Sequence, residues 1–448
     1  ENIINIEKPY GAIVQFGGQT AIKLTKALTE MGVKILGTSE ENMDRAEDRE
    51  KFDEALENCG ILRPKGDTVF TAQEAKNVAQ KLGYPVLVRP SYVLGGQGMA
   101  IAYDENEIEE FIKEINKIAQ EHPILVDKYM MGKELEVDAI CDGQDVLIPG
   151  IMEHLERAGI HSGDSISVYP TQTISEKHKQ KIIEYTEKIA KELQVIGVLN
   201  IQFIICNDEV YIIEVNPRSS RTVPYISKVT GLPVIDIATQ VILGKKLKEL
   251  PYGTGVYKEN EYIAVKMPIF SFEKIKNADT SLGPEMKSTG EVLGISKKFT
   301  EAVLKAFIGS GVNLTQKGKI LVTVRNKDKE ETLPIAKELQ ELGFEIYATS
   351  GTANFLKEKG VENVQSVPKI WEGTNSIIDL IQSGKLSFII NTPTKGKQSN
   401  RDGFKIRRLA VECKVPCFTS LDTVKALYDA IKNDIKEEEL EPVDITKI

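Results

Sequence analysis

Two apolar segments, Leu199 to Cys206 and Glu209 to Asn216, are separated only by Asn207-Asp208, and this pair constrains the fold more than any other feature of the chain. Asn and Asp tolerate the positive φ values of a short turn, so the segments predict a β-hairpin. Side chains alternate across a strand, which puts Glu214 and Asn216 on one face, with Gln202 beside them across the hairpin. A carboxylate and side-chain carbonyls so placed are hard oxygen ligands, suited to Mg²⁺ bridging nucleotide phosphates. Arg218 and Arg221, three apart, can then grip the oxygens of a transferring phosphoryl group or an acyl phosphate. The competing reading is a surface salt-bridge cluster, which would leave ionic groups on an apolar strand without partners.

Around the hairpin, strands and helices alternate. Gly11 to Phe16 reads as a short strand, Gly17 to Thr20 as a tight turn, Ala21 to Met31 as a helix and Val33 to Leu36 as strand again, an order that indicates parallel pairing. A charged helix is predicted over Asp48 to Asn58. Another, Thr71 to Leu82, carries the capping-box signature of Thr71 with Glu74 three residues on. Strands follow at Pro85 to Pro90, Ile124 to Val126, Glu134 to Cys141 and Val146 to Ile151, with helices at Ser175 to Leu193, Val223 to Ser227 and Val234 to Leu243. Gln316 to Lys319 reads as a junction. Beyond it, strands at Ile320 to Val324, Glu345 to Tyr347 and Phe388 to Asn391 alternate with helices at Leu333 to Leu342, up to Lys359, and Ser420 to Ile431. That stretch of about 130 residues is enough for a domain of its own. The fold class is therefore α/β and α+β, multidomain, with boundaries expected at 1–46, 47–316 and 317–448. The middle body is expected as two layers with a cleft.

Two further loops carry chemistry. Arg89 ends a strand and leads to Gly95 and Gly96, where backbone amides can turn toward the oxygens of a polyanion. The stretch matches neither the P-loop nor the dinucleotide glycine pattern, and a hairpin turn is the simpler reading of the glycine pair. Glu153 to Ser165 reads as a loop holding two of the chain's four histidines, His154 and His161, among acids and small residues, as a substrate site would. His161 is read as a donor, a base or a loop organiser, Asp164 as a group that holds its tautomer or caps a helix, and His154 as structural. Composition removes other classes. With 57 Lys+Arg against 66 Asp+Glu the net charge is −9, which excludes a protein held to nucleic acid by bulk charge. The five cysteines lack CxxC spacing, which suggests neither a disulfide framework nor a zinc site and fits a reducing, cytoplasmic compartment. No apolar run approaches the roughly 20 residues of a membrane span. The start, Glu1-Asn2-Ile3, has neither Met nor a signal-peptide pattern, as though cut from a longer polypeptide.

Together, Arg89-Pro90-Ser91-Tyr92-Val93-Leu94-Gly95-Gly96, Glu153 to Ser165, Val215 to Arg218 with Arg221 to Pro224, and Leu282 to Gly290 closely resemble the carbamoyl phosphate synthetase large subunit, in its C-terminal half and over essentially the whole chain. The resemblance implies an ATP-grasp fold with a partial N-terminal α/β (pre-ATP-grasp) unit and a C-terminal doubly wound methylglyoxal-synthase-like domain. It implies phosphorylation of carbamate by ATP to carbamoyl phosphate, feeding pyrimidine and arginine synthesis. Arg49, Arg89, Gly95 and Gly96 would meet the ATP phosphates, Glu134 the ribose, and His161 and Ser162 the nucleotide and substrate pocket. Gln202, Glu214 and Asn216 would bind two divalent ions, Mg²⁺ or Mn²⁺, while Arg218 and Arg221 orient carbamate and the moving phosphoryl group. The family's partners are a glutaminase small subunit and the N-terminal half of the large subunit. In the allosteric domain, Lys329, Thr349, Thr352, Lys369 and Asn391 would hold a nucleotide effector such as UMP or IMP. Neither nucleic acid nor membrane is implied, and a homo-oligomer is left open.

One departure from the family stands out. Val265-Lys266 is followed by Met267 where ornithine-regulated relatives carry a glutamate, so although Glu156 and Asp164 could still face an amine, the lost carboxylate weighs against ornithine activation. Carbamate is already a nucleophile, so the chemistry needs positioning and charge neutralisation rather than a strong base, and the strand-rich segment from Gly95 to Ile140 is expected as a lid over labile species. Another ATP-grasp carboxylate-amine ligase or carboxylase would share the metal strand and glycine loop but not the His154 to Ser165 loop or the effector domain. A non-catalytic nucleotide sensor would have no use for the complete metal and arginine set.

Overall fold

The computed structural model describes residues 1–90, 98–118, 123–275, 278–312, 317–372, 376–393, 401–433 and 435–448. They form two compact units, the first made of residues 1–159, 167–262 and 444–448, the second of residues 160–166 and 263–443. Among the described residues no helix is long and apolar enough to cross a membrane.

The first unit opens on short helices α1 (Asn2–Glu7), α2 (Gly18–Ile22), α3 (Thr25–Glu30) and α4 (Glu40–Glu47). The strands expected at Gly11 to Phe16 and Val33 to Leu36 do not form. A single parallel bridge joins Ala12 to Ile35, because two short segments without further neighbours cannot propagate a ladder. The expected glycine turn is absorbed into α2, and the expected helix from Ala21 is broken between α2 and α3. Asp48 caps α5 (Arg49–Asn58) by accepting from the amides of Glu50 and Lys51. Then come β1 (Gly66–Val69), α6 (Ala72–Leu82), β2 (Val86–Pro90), β3 (Ala100–Ala102), α7 (Glu105–Ile118) and β4 (Ile124–Lys128), whose strands form a sheet in the order β1-β4-β2-β3. The capping box of α6 is complete: the Glu74 amide donates to the Thr71 hydroxyl at 3.2 Å and the Thr71 amide donates to the Glu74 carboxylate at 3.2 Å.

The larger sheet of this unit is built from β5 (Lys133–Asp142), β6 (Val146–Ile148), β7 (Ile151–Arg157), β8 (Ser167–Tyr169), β9 (Ile196–Cys206), β10 (Glu209–Asn216) and β11 (Gly255–Val256), with helices α8 (Glu176–Glu192), α9 (Val223–Thr230) and α10 (Val234–Ile242). Strands run in the order β10-β9-β5-β7-β8, and β6 bridges β5 to β11. The hairpin turn has Asn207 at φ 52 and Asp208 at φ 64, the left-handed pair the sequence predicts. β7 corrects the expectation of one loop over Glu153 to Ser165. Residues as far as Arg157 are strand, paired with β5, and the loop proper is confined to the residues after it, with a 3-10 turn at Ser162–Asp164. Buried Glu153, His154 and Glu156 hide the strand, because their polarity breaks the apolar pattern by which strands are recognised. On one face of the sheet Leu135, Val137, Leu199, Ile201, Phe203 and Ile212 form a core with Phe52, Leu56, Ile182 and Ile189 of α5 and α8.

In the second unit β12 (Ile263–Ile269) and β13 (Gly290–Ser296) pair antiparallel and are followed by α11 (Phe299–Gly309). The chain continues through β14 (Gly318–Thr323), α12 (Lys329–Glu341), β15 (Phe344–Thr349), α13 (Ser350–Glu358), β16 (Gln365–Val367), α14 (Ser376–Gln382), β17 (Leu386–Asn391), α15 (Asp402–Glu412), β18 (Cys417–Phe418) and α16 (Leu421–Ile431). These five strands are all parallel, in the order β16-β15-β14-β17-β18. Ile320, Leu321 and Val322 are wholly buried, so both faces of the central strand β14 are covered, as a doubly wound sheet requires. The order reverses between β14 and β17, which makes the carboxyl ends of these two strands a topological switch point.

One glycine holds β5 against β9. A Cβ at Gly132 would lie 2.2 Å from the Ile205 carbonyl oxygen and 3.0 Å from an Ile204 side-chain carbon. Gly132→Ala is therefore expected to lower stability by about 1–3 kcal/mol, the usual cost of overpacking, read as a lower urea midpoint, while an unchanged midpoint would mean the two strands separate freely there.

Candidate functional site

A β-bulge decides which side chains share a face. β10 pairs with β9 as Ile212 to Phe203 and then Glu214 to Gln202, so Ile213 is the extra residue. Upstream, Val210 and Ile212 face the core. Downstream it is Val215, so Glu214 and Asn216 turn to the opposite face. The pairing continues onto β5 and produces two transverse rows, Glu136–Gln202–Glu214 and Asp138–Asn200–Asn216. The structure thus brings Gln202, Glu214 and Asn216 together, and adds Glu136, Asp138 and Asn200, for which the only signal along the chain is their place at every second position of β5 and β9.

The second row is a bonded network. Asn200 Nδ2 donates to Glu136 Oε1 at 2.7 Å and to Asp138 Oδ1 at 2.9 Å, and the Thr222 hydroxyl donates to Asp138 Oδ2 at 2.6 Å. Carboxylates here act as acceptors, so the Asn200 amide must present its nitrogen to them and its oxygen to Asn216, whose Nδ2 donates at 3.5 Å. Asn216 is left with its carbonyl oxygen outward, where Arg218 Nη2 donates to it at 3.0 Å. Burial, and then the charge of Glu136, push the Asp138 carboxyl above its ordinary value.

Arg218 is held from its other side by Gln19, whose Oε1 accepts from Nε at 3.0 Å. Buried Gln15 donates to the Pro217 carbonyl at 2.9 Å, so the N-terminal segment braces the turn after β10. Arg221 is exposed in the lead into α9. The Glu214 side chain is exposed and makes no hydrogen bond or ion pair among the described residues. No group of three or more His, Cys, Asp or Glu side chains among them has metal-holding geometry. A divalent ion would therefore depend on amide oxygens as well as on Glu214. The residues fit one: an unpaired carboxylate opposite Gln202, with the outward carbonyl of Asn216 in the next row, is an oxygen-only donor set.

Glu134 sits at the edge of this face. Its Oε2 lies 3.5 Å from His154 Nδ1, while His154 Nε2 lies 3.6 Å from Glu136 Oε2, and Glu134 Oε1 accepts from the Gly159 amide at 3.4 Å. Burial opposes the imidazolium, but the two carboxylates outweigh it and lift His154 to about 9. Arg49 and Arg89 converge on one buried carboxylate. Arg49 Nη2 lies 2.7 Å and Arg89 Nε 3.6 Å from Asp127, and Arg49 also pairs with Asp53 at 3.3 Å, which Arg63 holds too. Three guanidinium groups against two carboxylates leave the cluster with an excess positive charge. Gly95 and Gly96 lie outside the described residues.

In the second unit, His161 Nδ1 accepts from the Gly163 amide at 3.0 Å, which puts the proton of the neutral ring on Nε2. The Ser162 carbonyl accepts from Lys266, a fully buried lysine, at 3.2 Å. Asp164 neither orients His161 nor caps a helix. Its carboxylate accepts from the Lys287 and Ser288 amides, each at 2.8 Å. At the carboxyl end of the parallel sheet, Thr349 and Thr352 are buried with hydroxyls 3.4 Å apart, and Lys329 Nζ donates to the Gly351 carbonyl at 2.7 Å. Asn391 Oδ1 accepts from Arg407 at 2.7 Å, and the Lys369 amide donates to Glu372 at 3.2 Å. Thr349, Asn391 and the Arg325 amide, which donates to the Thr392 hydroxyl at 3.0 Å, lie at the ends of β15, β17 and β14.

The fold is that of an ATP-grasp protein with a parallel α/β domain appended. It is similar to the biotin carboxylase of Campylobacter jejuni, with a TM-score of 0.55 and 19% identity over 68% of this chain and 75% of that one. It is likewise similar to the biotin carboxylase domain of the Hydrogenobacter thermophilus 2-oxoglutarate carboxylase, with a TM-score of 0.55 and 18% identity over 68% and 74%. The sequence profile of the carbamoyl-phosphate synthase L chain, ATP binding domain, matches residues 48–250. The carbamoyl phosphate synthase preATP-grasp domain matches residues 1–45, and the MGS-like domain residues 331–419. A carbamoyl phosphate synthase large chain from Lachnoclostridium phytofermentans is 59% identical over 448 residues, and one from Clostridium botulinum 55% over 446. The chain belongs to the family of carbamoyl phosphate synthase large chains. It covers 42% of the length of these relatives.

Because the folded value of His154 lies above its ordinary value of about 6.5, its contribution to stability is complete below that pH and is lost as pH rises through about 9. The urea midpoint is expected to fall across that interval, and His154→Gln to flatten the fall. An equally steep fall in the variant would assign it to another group.

Proposed function

We propose that this chain catalyses phosphorylation of carbamate by ATP, giving carbamoyl phosphate and ADP. The observation that carries this reading is the pair of oxygen-donor rows across β5, β9 and β10, ending in Arg218. The family membership supports it, as does the excess positive charge around Asp127.

A carbamate oxygen attacks the γ-phosphorus while the bond from that phosphorus to the β–γ bridging oxygen breaks, so the leaving group is ADP and no proton need be removed by a strong base. Glu214, Gln202 and Asn216 are the residues that would hold Mg²⁺ or Mn²⁺, as two ions. The bound metal supplies charge neutralisation at the β- and γ-phosphates. Arg218 steadies the migrating group, preorganised by Gln19 and Asn216, and Arg221 orients carbamate. Arg49, Arg89, Gly95 and Gly96 receive the phosphates, Glu134 the ribose, and His161 and Ser162 the base and substrate side. This division of labour assigns residues 1–46, 47–316 and 317–448 to the pre-ATP-grasp, ATP-grasp and effector domains, and makes the chain the C-terminal half of a cytoplasmic large subunit in pyrimidine and arginine synthesis. An N-terminal half and a glutaminase small subunit would supply the carbamate. The ends of β14, β15 and β17, with Lys329, Thr349, Thr352, Lys369 and Asn391, take the phosphate of UMP or IMP. Asp164 is committed to backbone amides and Met267 brings no charge, which argues against ornithine as an activator.

The test is the reverse half-reaction, ATP formation from ADP and carbamoyl phosphate with Mg²⁺. Nucleotide binding without ATP formation would favour a sensor over an enzyme. Glu214→Gln, which keeps shape and removes charge, is expected to lower this rate by roughly 100-fold or more with the denaturation midpoint unchanged, and retention of the rate would remove Glu214 from the metal site. Lys369→Ala is expected to weaken UMP or IMP binding measured by calorimetry and leave the rate without nucleotide as it was. A fall in that basal rate would contradict the separation of effector and catalytic residues.

A further inference from the structure

We propose that Arg407 couples the effector end of the parallel sheet to the loop carrying His161 and Ser162, through Asp279 and the strap that runs from Asp279 to Ser288. The proposal rests on the effector reading of Asn391.

Arg407, on α15, is 5% exposed and spans two parts of the second unit. Nη1 donates to Asn391 Oδ1 at 2.7 Å, at the end of β17. Nε and Nη2 donate to the two oxygens of Asp279 at 2.8 and 2.9 Å, a planar fork on a carboxylate. Burial disfavours the charge on Asp279, yet Arg407 holds its carboxyl below the usual range. The next residue strengthens the clasp, Arg408 Nη1 donating to the carbonyls of Phe272 and Ile275 at 3.0 and 2.9 Å.

From Asp279 the path continues along the strap. Lys287 Nζ donates to the Asp279 carbonyl at 3.0 Å and to the Ser281 carbonyl at 2.5 Å, which fixes the strap's curvature. The strap in turn fixes the loop. Besides the two amides bound to Asp164, the Ser288 hydroxyl donates to the Gly163 carbonyl at 2.9 Å and the His161 amide donates to the Gly283 carbonyl at 2.8 Å. The last of these ties the backbone of His161 itself to the strap, so a shift of the strap moves His161 with it.

One guanidinium thus serves both Asn391 and Asp279. A phosphate arriving beside Asn391 is a new acceptor for that cation and competes with Asp279 for its donors. A ligand can shift an equilibrium only by binding its two arrangements unequally, and here the inequality is whether Arg407 leans to the sheet end or to the strap.

The experiment uses the full chain, with UMP and IMP as probes. ATP formation from ADP and carbamoyl phosphate is measured with and without each, and binding is measured by calorimetry. Wild type is expected to change rate by on the order of five-fold with at least one of them, a common size for allosteric coupling. In Asp279→Asn binding is expected to persist while the rate ratio falls to one. Since a lone buried guanidinium can unfold a protein, the double variant Arg407→Met with Asp279→Leu, which replaces the pair by apolar groups of similar size, is tested in parallel and is expected to behave the same. A folded variant that responds as wild type does overturns the coupling. If wild type binds neither nucleotide, the effector reading falls and takes the coupling with it.

Discussion

The central sheet of the first unit must be apolar on one side and ionic on the other, and the extra residue at Ile213 is what lets β10 meet both demands. Without it, Glu214 would share a face with Ile212 and either bury a carboxylate among Phe52, Leu56 and Ile189 or pull Ile212 into water. Each large apolar side chain on the core face contributes about 1.5–3 kcal/mol by burial, which outweighs any one hydrogen bond of about 1 kcal/mol. The core therefore sets the register, and the polar rows follow from it.

The buried members of those rows persist because they are bonded to one another and to their neighbours, with Glu136 Oε2 facing His154 Nε2 at 3.6 Å. Glu136, Asp138 and Asn200 are each 2% exposed, and an unbonded buried polar group would be costly. The Asn200 amide resolves this by giving its nitrogen to two carboxylates and its oxygen to Asn216. The same bonds that stabilise the sheet thereby aim the Asn216 oxygen, so the geometry suited to a cation is a by-product of folding rather than something a ligand must create. Arg218 and Arg49 show the same economy. Both are long side chains whose rotamer freedom is already spent, one on Gln19 and Asn216, the other on Asp127 and Asp53.

The second unit obeys a different constraint. A parallel sheet buried on both faces can offer polar groups only at its strand ends, and Thr349, Asn391 and Thr392 stand there. Buried Arg407 links that edge to Asp279, outside the parallel sheet, and a buried guanidinium needs such a carboxylate close by.

Much of this was readable along the chain. The Thr71 capping box, the Asn207-Asp208 turn and the placement of Glu214 with Asn216 depend on residues at most four positions apart, so their local chemistry determined them. β7 was not readable, because Glu153, His154 and Glu156 are buried polar residues whose partners come from elsewhere, and the Gly11 and Val33 segments look like strands but lack neighbours. Asn200 meets Glu136 across 64 positions and Arg407 meets Asp279 across 128. Which carboxylate meets which donor at such separations is chosen by the packing of whole strands and helices, since a side chain's few kcal/mol cannot bring distant segments together and can only act once the core has done so.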